Sequence, residues 1–176
     1  MEYKSHDLRL LRLGKGKLYF DRYDDNGLPT GLRLLGNAPV FVMTPSEETY
    51  PHYTAMEEVK VLDTILTISQ MMTLKFTLEE FDRENLRMAM FGKPDSWTIH
   101  GMTSPFVEGY LEFVPTNAQG PKYHGQFWKV RMKPTGDIGM IDDTTIGKMD
   151  FEAVTLNDVD NHPISPYFDL TLMAQS

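Results

Sequence analysis

Five histidines are the first residues to ask for chemistry: His6, His52, His100, His124 and His162. A helical metal pair needs two of them four positions apart, on one face, and no two have that spacing. His100 and His124 each precede a glycine in loop-like sequence. The chain has no cysteine, which excludes disulfides, thiolate nucleophiles and Cys-ligated metals. Two pairs of adjacent carboxylates, Asp24-Asp25 and Asp142-Asp143, invite an acid–base reading. Neighbours in an extended chain point to opposite faces, so neither pair alone forms a dyad. Asp24-Asp25-Asn26-Gly27 lacks the alternating ligands and closing Glu of an EF-hand and reads as a turn. Gly14-Lys15-Gly16-Lys17 lacks the spacing and the Lys-Ser/Thr of a phosphate loop. Ser46, Ser69, Ser96, Ser104 and Ser165 sit in no nucleophile elbow. The residues therefore predict no catalytic group, no metal, no cofactor and no enzyme.

Charge carries more information. Lys plus Arg number 17 and Asp plus Glu 25, a formal charge of −8. That balance excludes a simple nucleic-acid binder, which needs a basic footprint. Met1 to Arg22 carries six basic and three acidic side chains, whereas Gly136 to Ser176 carries eight acidic and one basic. Lys129, Arg131 and Lys133 alternate, forming a basic row on one strand face. Such opposed charges suit contacts between copies of the chain, and heterologous contacts generate rings or open stacks. Twelve methionines, several in strand-like segments, suit adaptable apolar packing. No apolar run approaches the ~20 residues of a membrane span. The start Met1-Glu2-Tyr3-Lys4-Ser5-His6-Asp7 has no apolar signal region, so a cytoplasmic product is expected.

The elements that must position these groups are mostly strands. At 176 residues, with 41% hydrophobic content, the chain has the length of one domain. Leu8–Leu13, Lys17–Arg22, Glu108–Thr116, Phe127–Lys133, Met149–Leu156 and Tyr167–Met173 alternate as half-buried strands do. Asn26-Gly27 marks a turn, and Leu32–Leu35 and Val40–Met43 are short apolar segments. Thr44 to Glu58 has no clean periodicity, holds two prolines and four glutamates, and reads as a long loop. Val59–Ile68 and Met71–Leu78 read as a hairpin turning at Ser69-Gln70. One helix is predicted over Leu78–Phe91, capped by Thr77 with Glu80 at the capping-box position and ended by Gly92. The expected architecture is an antiparallel β-sandwich or barrel with one flanking α-helix, a single domain over residues 1–176.

The order of certain segments resembles a known family. A short strand pair leads into Leu34-Leu35-Gly36-Asn37-Ala38-Pro39-Val40-Phe41-Val42, and a polar stretch with Tyr50-Pro51-His52-Tyr53 follows. Then come Leu74-Lys75-Phe76-Thr77-Leu78-Glu79-Glu80-Phe81 and Glu84-Asn85-Leu86-Arg87-Met88-Ala89-Met90-Phe91-Gly92. This resembles the tail tube, or major tail, protein of long-tailed bacteriophages, most clearly over Gly31 to Gly92. The resemblance implies a virion structural protein whose hexameric rings stack into a tube, the conduit for DNA ejection. Double-stranded DNA would pass through without specific binding, past an acidic lumen that repels its phosphates.

The implied partners are identical copies, a tape-measure protein, a tail terminator and tail-tip proteins, with no membrane insertion. The implied location is the virion tail, with assembly in the host cytoplasm. Residues 1–15 would be an N-terminal arm and residues 44–58 the inter-subunit loop, and the C-terminal segment would contact the next ring. Expected inter-subunit contacts are Glu47, Glu48, Tyr50, His52, Tyr53, Glu57, Glu58, Lys129, Arg131 and Lys133. Expected lumen-lining residues are Asp63, Thr67, Thr73 and Lys75. Two other readings accommodate the same strands: an Hcp-like tube protein of a contractile secretion system, and a monomeric ligand-binding β-barrel.

Overall fold

A computed structural model of the chain describes residues 13–56, 59–93, 97–119, 121–140 and 147–173. Its elements are β1 (Leu13–Arg22), β2 (Arg33–Leu34), β3 (Val40–Met56), β4 (Val59–Leu78), α1 (Arg83–Ala89), β5 (Val107–Gln119), β6 (Tyr123–Pro134), β7 (Met149–Thr155) and β8 (Phe168–Leu172). They form one antiparallel sheet in the order β2-β1-β5-β6-β7-β4-β3. One edge of β6 is shared: Val130–Pro134 pairs with β7 and Tyr123–Phe127 with β8. The expected mainly β architecture with a single flanking helix is what the chain adopts. The sheet is not closed into a barrel. It curls over its own core instead, since Phe41 of β3 stacks on Phe113 of β5, a strand that is not its neighbour (5.2 Å between ring centroids).

Alternation decides which side chains enter that core. Leu18 and Phe20, Leu74, Phe76 and Leu78, and Met149, Phe151 and Ala153 all point inward and are buried. Phe76 stacks on Phe151 across paired strands, 5.4 Å between centroids. Met88 and Ala89 bring α1 onto the same cluster. Gly109 is required where β5 crosses β1: a Cβ there would collide with the Asp21 carbonyl and reach within 2.6 Å of the Phe20 ring. Asn26-Gly27 turns as expected, with Gly27 at φ 77°, and Asp24 accepts the backbone N–H groups of Asn26 and Leu28.

Four sequence expectations are corrected. First, Thr44–Glu58 is no loop: as far as Met56 it is the outer half of β3. Second, β4 does not turn at Ser69-Gln70. It runs unbroken for 20 residues, and its hairpin partner is β3, with Met56 opposite Val59. The polar pair misleads because it faces glutamates, with Ser69 donating to Glu48 at 3.3 Å. Third, the helix is shorter at both ends. Leu78 is still strand, Thr77 donates to Asp150 instead of capping, and Glu80 accepts from the Asn37 N–H. Asp82 is the N-cap, accepting from the N–H groups of Glu84 and Asn85 at 2.7 and 2.8 Å. The helix ends at Ala89, and Phe91, not Gly92, takes the left-handed conformation. Fourth, Leu13 to Lys15 belong to β1, opposite Gln119 to Asn117, so the N-terminal arm cannot extend to residue 15. The rest of that arm, and most of the expected strand Leu8–Leu13, lie outside the described residues.

This packing predicts distinct costs for two substitutions. Phe151→Ala removes a buried stacked ring and should lower unfolding free energy by about 3–5 kcal/mol. Asp82→Ala removes a cap and should cost about 1 kcal/mol. Urea unfolding followed by tryptophan fluorescence measures both, and equal costs would contradict the packing described.

Candidate functional site

Beyond the body of the sheet, β3 and β4 continue as a two-stranded ribbon. β7 accompanies β4 only from Thr73 to Leu78. Among the described residues, Val59 to Met72 of β4 pair with β3 alone. Thr44 to Met56 therefore projects by about 40 Å at the usual rise of a strand. Residues of β4 are skipped in the register at Ile68 and at Asp63. An extra residue at each point bends and twists a ribbon and resets which side chains share a face.

The register assigns the faces. Phe41 and Met43 continue through Glu47, Thr49, Pro51 and Tyr53 on the core side, opposite Thr67, Ile65 and Leu62 of β4. Val42 and Thr44 continue through Glu48, Tyr50 and His52 on the outer side, opposite Lys75, Thr73, Ser69 and Leu66. Both faces of the projecting part are exposed and both carry apolar groups. Tyr50 is 58% accessible on one face and Ile65 59% on the other, with Leu62, Leu66, Ile68, Tyr53 and Met71 nearly as open.

Five of the expected contact residues, Glu47, Glu48, Tyr50, His52 and Tyr53, thus fall on this ribbon as strand rather than loop. Glu57 and Glu58 lie outside the described residues. Polar groups steady the ribbon: Thr67 donates to Glu47 at 2.5 Å, and His52 Nδ1 lies 3.4 Å from Asp63. The expected lumen set does not share one face. Thr73 and Lys75 lie on the outer side, and Thr67 lies on the core side because the skipped residue reverses its parity.

The basic row is placed differently. Lys129 and Arg131 both reach Glu108, at 3.6 and 2.5 Å. Lys133 and Lys75 both reach Glu152, at 3.2 and 3.5 Å. The row is thus a ladder within one subunit, two carboxylates shared among four cations, rather than a bare patch awaiting an acidic partner. The Lys133 hydrogen bond holds the Glu152 carboxyl below the usual carboxylate range, and Lys75 adds to the effect. Next to the ladder lies an apolar groove of about 360 Å³ whose lining includes Pro105, Phe106, Val154 and Leu156, with Arg131 and Lys133 at its rim. The Arg131 guanidinium lies over the Phe106 ring, 4.7 Å from its centroid.

Sequence reasoning missed a polar cluster under the helix. Asn85, fully buried, donates to the carbonyls of Leu35 and Glu80 and accepts from Arg33 at 2.7 Å. Arg87 donates from Nη1 to both carboxylate oxygens of Glu84, at 2.7 and 2.8 Å. Arg22 is buried nearby, and burial, then Arg87, pulls its pKa below the ordinary arginine value. No periodic pattern announces such a cluster, because its members come from three separate stretches, at Arg22, at Arg33 and Leu35, and from Glu80 to Arg87. The C-terminal strand β8 is likewise stitched to its own body through β6, so the segment expected to reach another ring has one edge satisfied internally. Among the described residues, no three His, Asp or Glu side chains are grouped to hold a metal. No helix among them is long and apolar enough to cross a membrane.

The ribbon, the helix and the first strands coincide with the region shared with relatives. A family model described as Protein of unknown function UCP028589 matches residues 11–109, more than half of the chain, and the chain belongs to that family. No curated protein sequence matches it.

The ladder makes a pH prediction. A carboxyl whose folded pKa is lowered adds stability fully above its unfolded pKa, and that stability is lost as pH falls through the folded value. In an NMR titration Glu152 should therefore titrate below the ordinary glutamate range. In Lys133→Met its midpoint should rise toward that range, and an unchanged midpoint would contradict the assigned cause.

Proposed function

We propose that this chain is a self-assembling structural subunit of a phage-type tail tube, with the β3–β4 ribbon as its principal inter-subunit element. One observation carries the reading: a projecting two-stranded ribbon exposes apolar side chains on both faces at once. A monomer gains nothing from such an element, since a two-stranded ribbon is marginal in water and exposed apolar area is a liability. Identical neighbours in a ring or stack cover both faces and also offer partners to the unpaired edge of β4. The acidic overall balance suits a conduit that must not retain DNA. The interior of the body is packed with Phe20, Phe76, Phe127 and Phe151, which favours a building block over a ligand-binding barrel.

The register offers a clean test. Ser46 faces Met71 across the ladder, so Glu47 to Gln70 can be replaced by a two-residue Asn-Gly turn without disturbing the body. The shortened protein should keep its fold by circular dichroism and its cooperative melting. At high concentration, negative-stain microscopy should show rings or tubes for the full chain and separate subunits for the shortened one. Full-length protein that stays monomeric at every concentration and salt would refute the reading.

A further inference from the structure

We infer that the outer face of the ribbon docks on the cationic groove of a neighbouring copy, with Tyr50 and Leu66 entering the groove and the ribbon's carboxylates meeting its lysines. The inference rests on the assembly reading and names the surface that receives the ribbon. Tyr50 and Leu66 are direct cross-strand partners, so their side chains leave the same face together as one apolar knob. Glu48 lies beside them on that face, and His52 beside them pairs with Asp63. From Thr44 to Met72 the sequence holds five carboxylates and one lysine.

The receiving surface has the opposite character. Its floor is apolar, formed in part by Phe106, Val154 and Leu156, and at about 360 Å³ it has room for side chains of this size. Arg131 and Lys133 line it together with Glu152, and Lys75 and Lys129 continue the same ladder. In the ion pairs among the described residues these four cations share Glu108 and Glu152, which leaves two positive charges in surplus. An apolar knob flanked by acid and an apolar groove rimmed by surplus cations complement one another in shape and in sign. The groove's own carboxylates also oppose a misplaced ribbon, which fixes register. Because one copy carries both halves, the partner that fits is a second copy of this chain.

The test is a charge exchange. Glu48→Lys with Asp63→Lys reverses the ribbon, and Lys75→Glu with Lys133→Glu reverses the groove. All four side chains are exposed, so each variant should stay folded, the groove reversal melting somewhat lower because it replaces both cations on Glu152 with carboxylates. Sedimentation velocity at low salt should show each single-sided reversal weakening self-association by about tenfold or more. The variant carrying both reversals should recover most of that loss, and so should a mixture of the two single-sided variants.

Because the chain has no cysteine, Tyr50→Cys and Phe106→Cys proteins mixed with a short bis-maleimide should give a specific heterodimer. Wild-type assembly without rescue by the double reversal, or without that cross-link, would overturn the docking and leave the tube reading standing. Rescue that stops at closed pairs would uphold the docking and overturn the tube. A wild-type chain that never associates would overturn both.

Discussion

Every strand of a sheet has two faces, and a two-stranded ribbon has no third layer to cover either. In the body of this protein the problem is solved by curling: the sheet bends until Phe41 of β3 meets Phe113 of β5, and one face disappears from water. From Thr44 outward that solution ends, because β7 stops pairing with β4 at Thr73. What continues is backbone ladder with apolar groups on both sides. On the assembly reading, neighbouring copies supply the burial that holds the ribbon in place, and the rest of the structure follows from that constraint.

The body is built to carry that load. β4 runs from the ribbon into the deepest part of the core, where Leu74, Phe76 and Leu78 are buried against β7. A force or a docking contact at the ribbon is therefore transmitted through one continuous strand rather than across a loop. The helix reinforces the junction at the base. Asp82 caps it, Asn85 ties it to the Leu35 carbonyl, and Arg33 is held by both Asp82 and Asn85. Buried hydrogen bonds of this kind rigidify the junction and fix its geometry.

Legibility in the sequence followed burial. Strand β7 and the Val130–Pro134 half of β6 alternate visibly because one face is wet and the other packed, so Val130 and Met132 read against Lys129, Arg131 and Lys133. Before Val130 the β5–β6 register shifts, which puts Phe127 in the core and leaves Trp128, the apolar partner the alternation predicts, only half-buried. The Asn26-Gly27 turn was legible from its backbone chemistry. The ribbon was not, and the reason is physical. Where both faces are exposed, no asymmetry imposes a period of two, and Thr44 to Met56 reads as irregular. The residue skipped at Ile68 reverses parity between Thr67 and Thr73, so these two odd-numbered residues do not share a face, and the one skipped at Asp63 reverses it again further out. The same blindness affects the basic row. Its alternation was plain, but Glu108 and Glu152 come from other strands, and only the register brings them beneath the four cations.

The prolines then decide which edge of the ribbon is open to a partner. A proline fits a ladder only where its nitrogen faces away from the paired strand, since it has no hydrogen to donate. Pro45 and Pro51 lie six residues apart, on the same side of β3, both opposite paired residues of β4. They therefore remove two donors from the outer edge of β3 and blunt it against uncontrolled strand addition. β4 holds no proline between Val59 and Leu78, so its free edge keeps every donor along the ribbon. On the assembly reading, strand addition is thereby directed to the edge of β4 rather than to the outer edge of β3. An exposed apolar ribbon with two equally open edges invites aggregation, whereas one with a single open edge offers a neighbour one defined place.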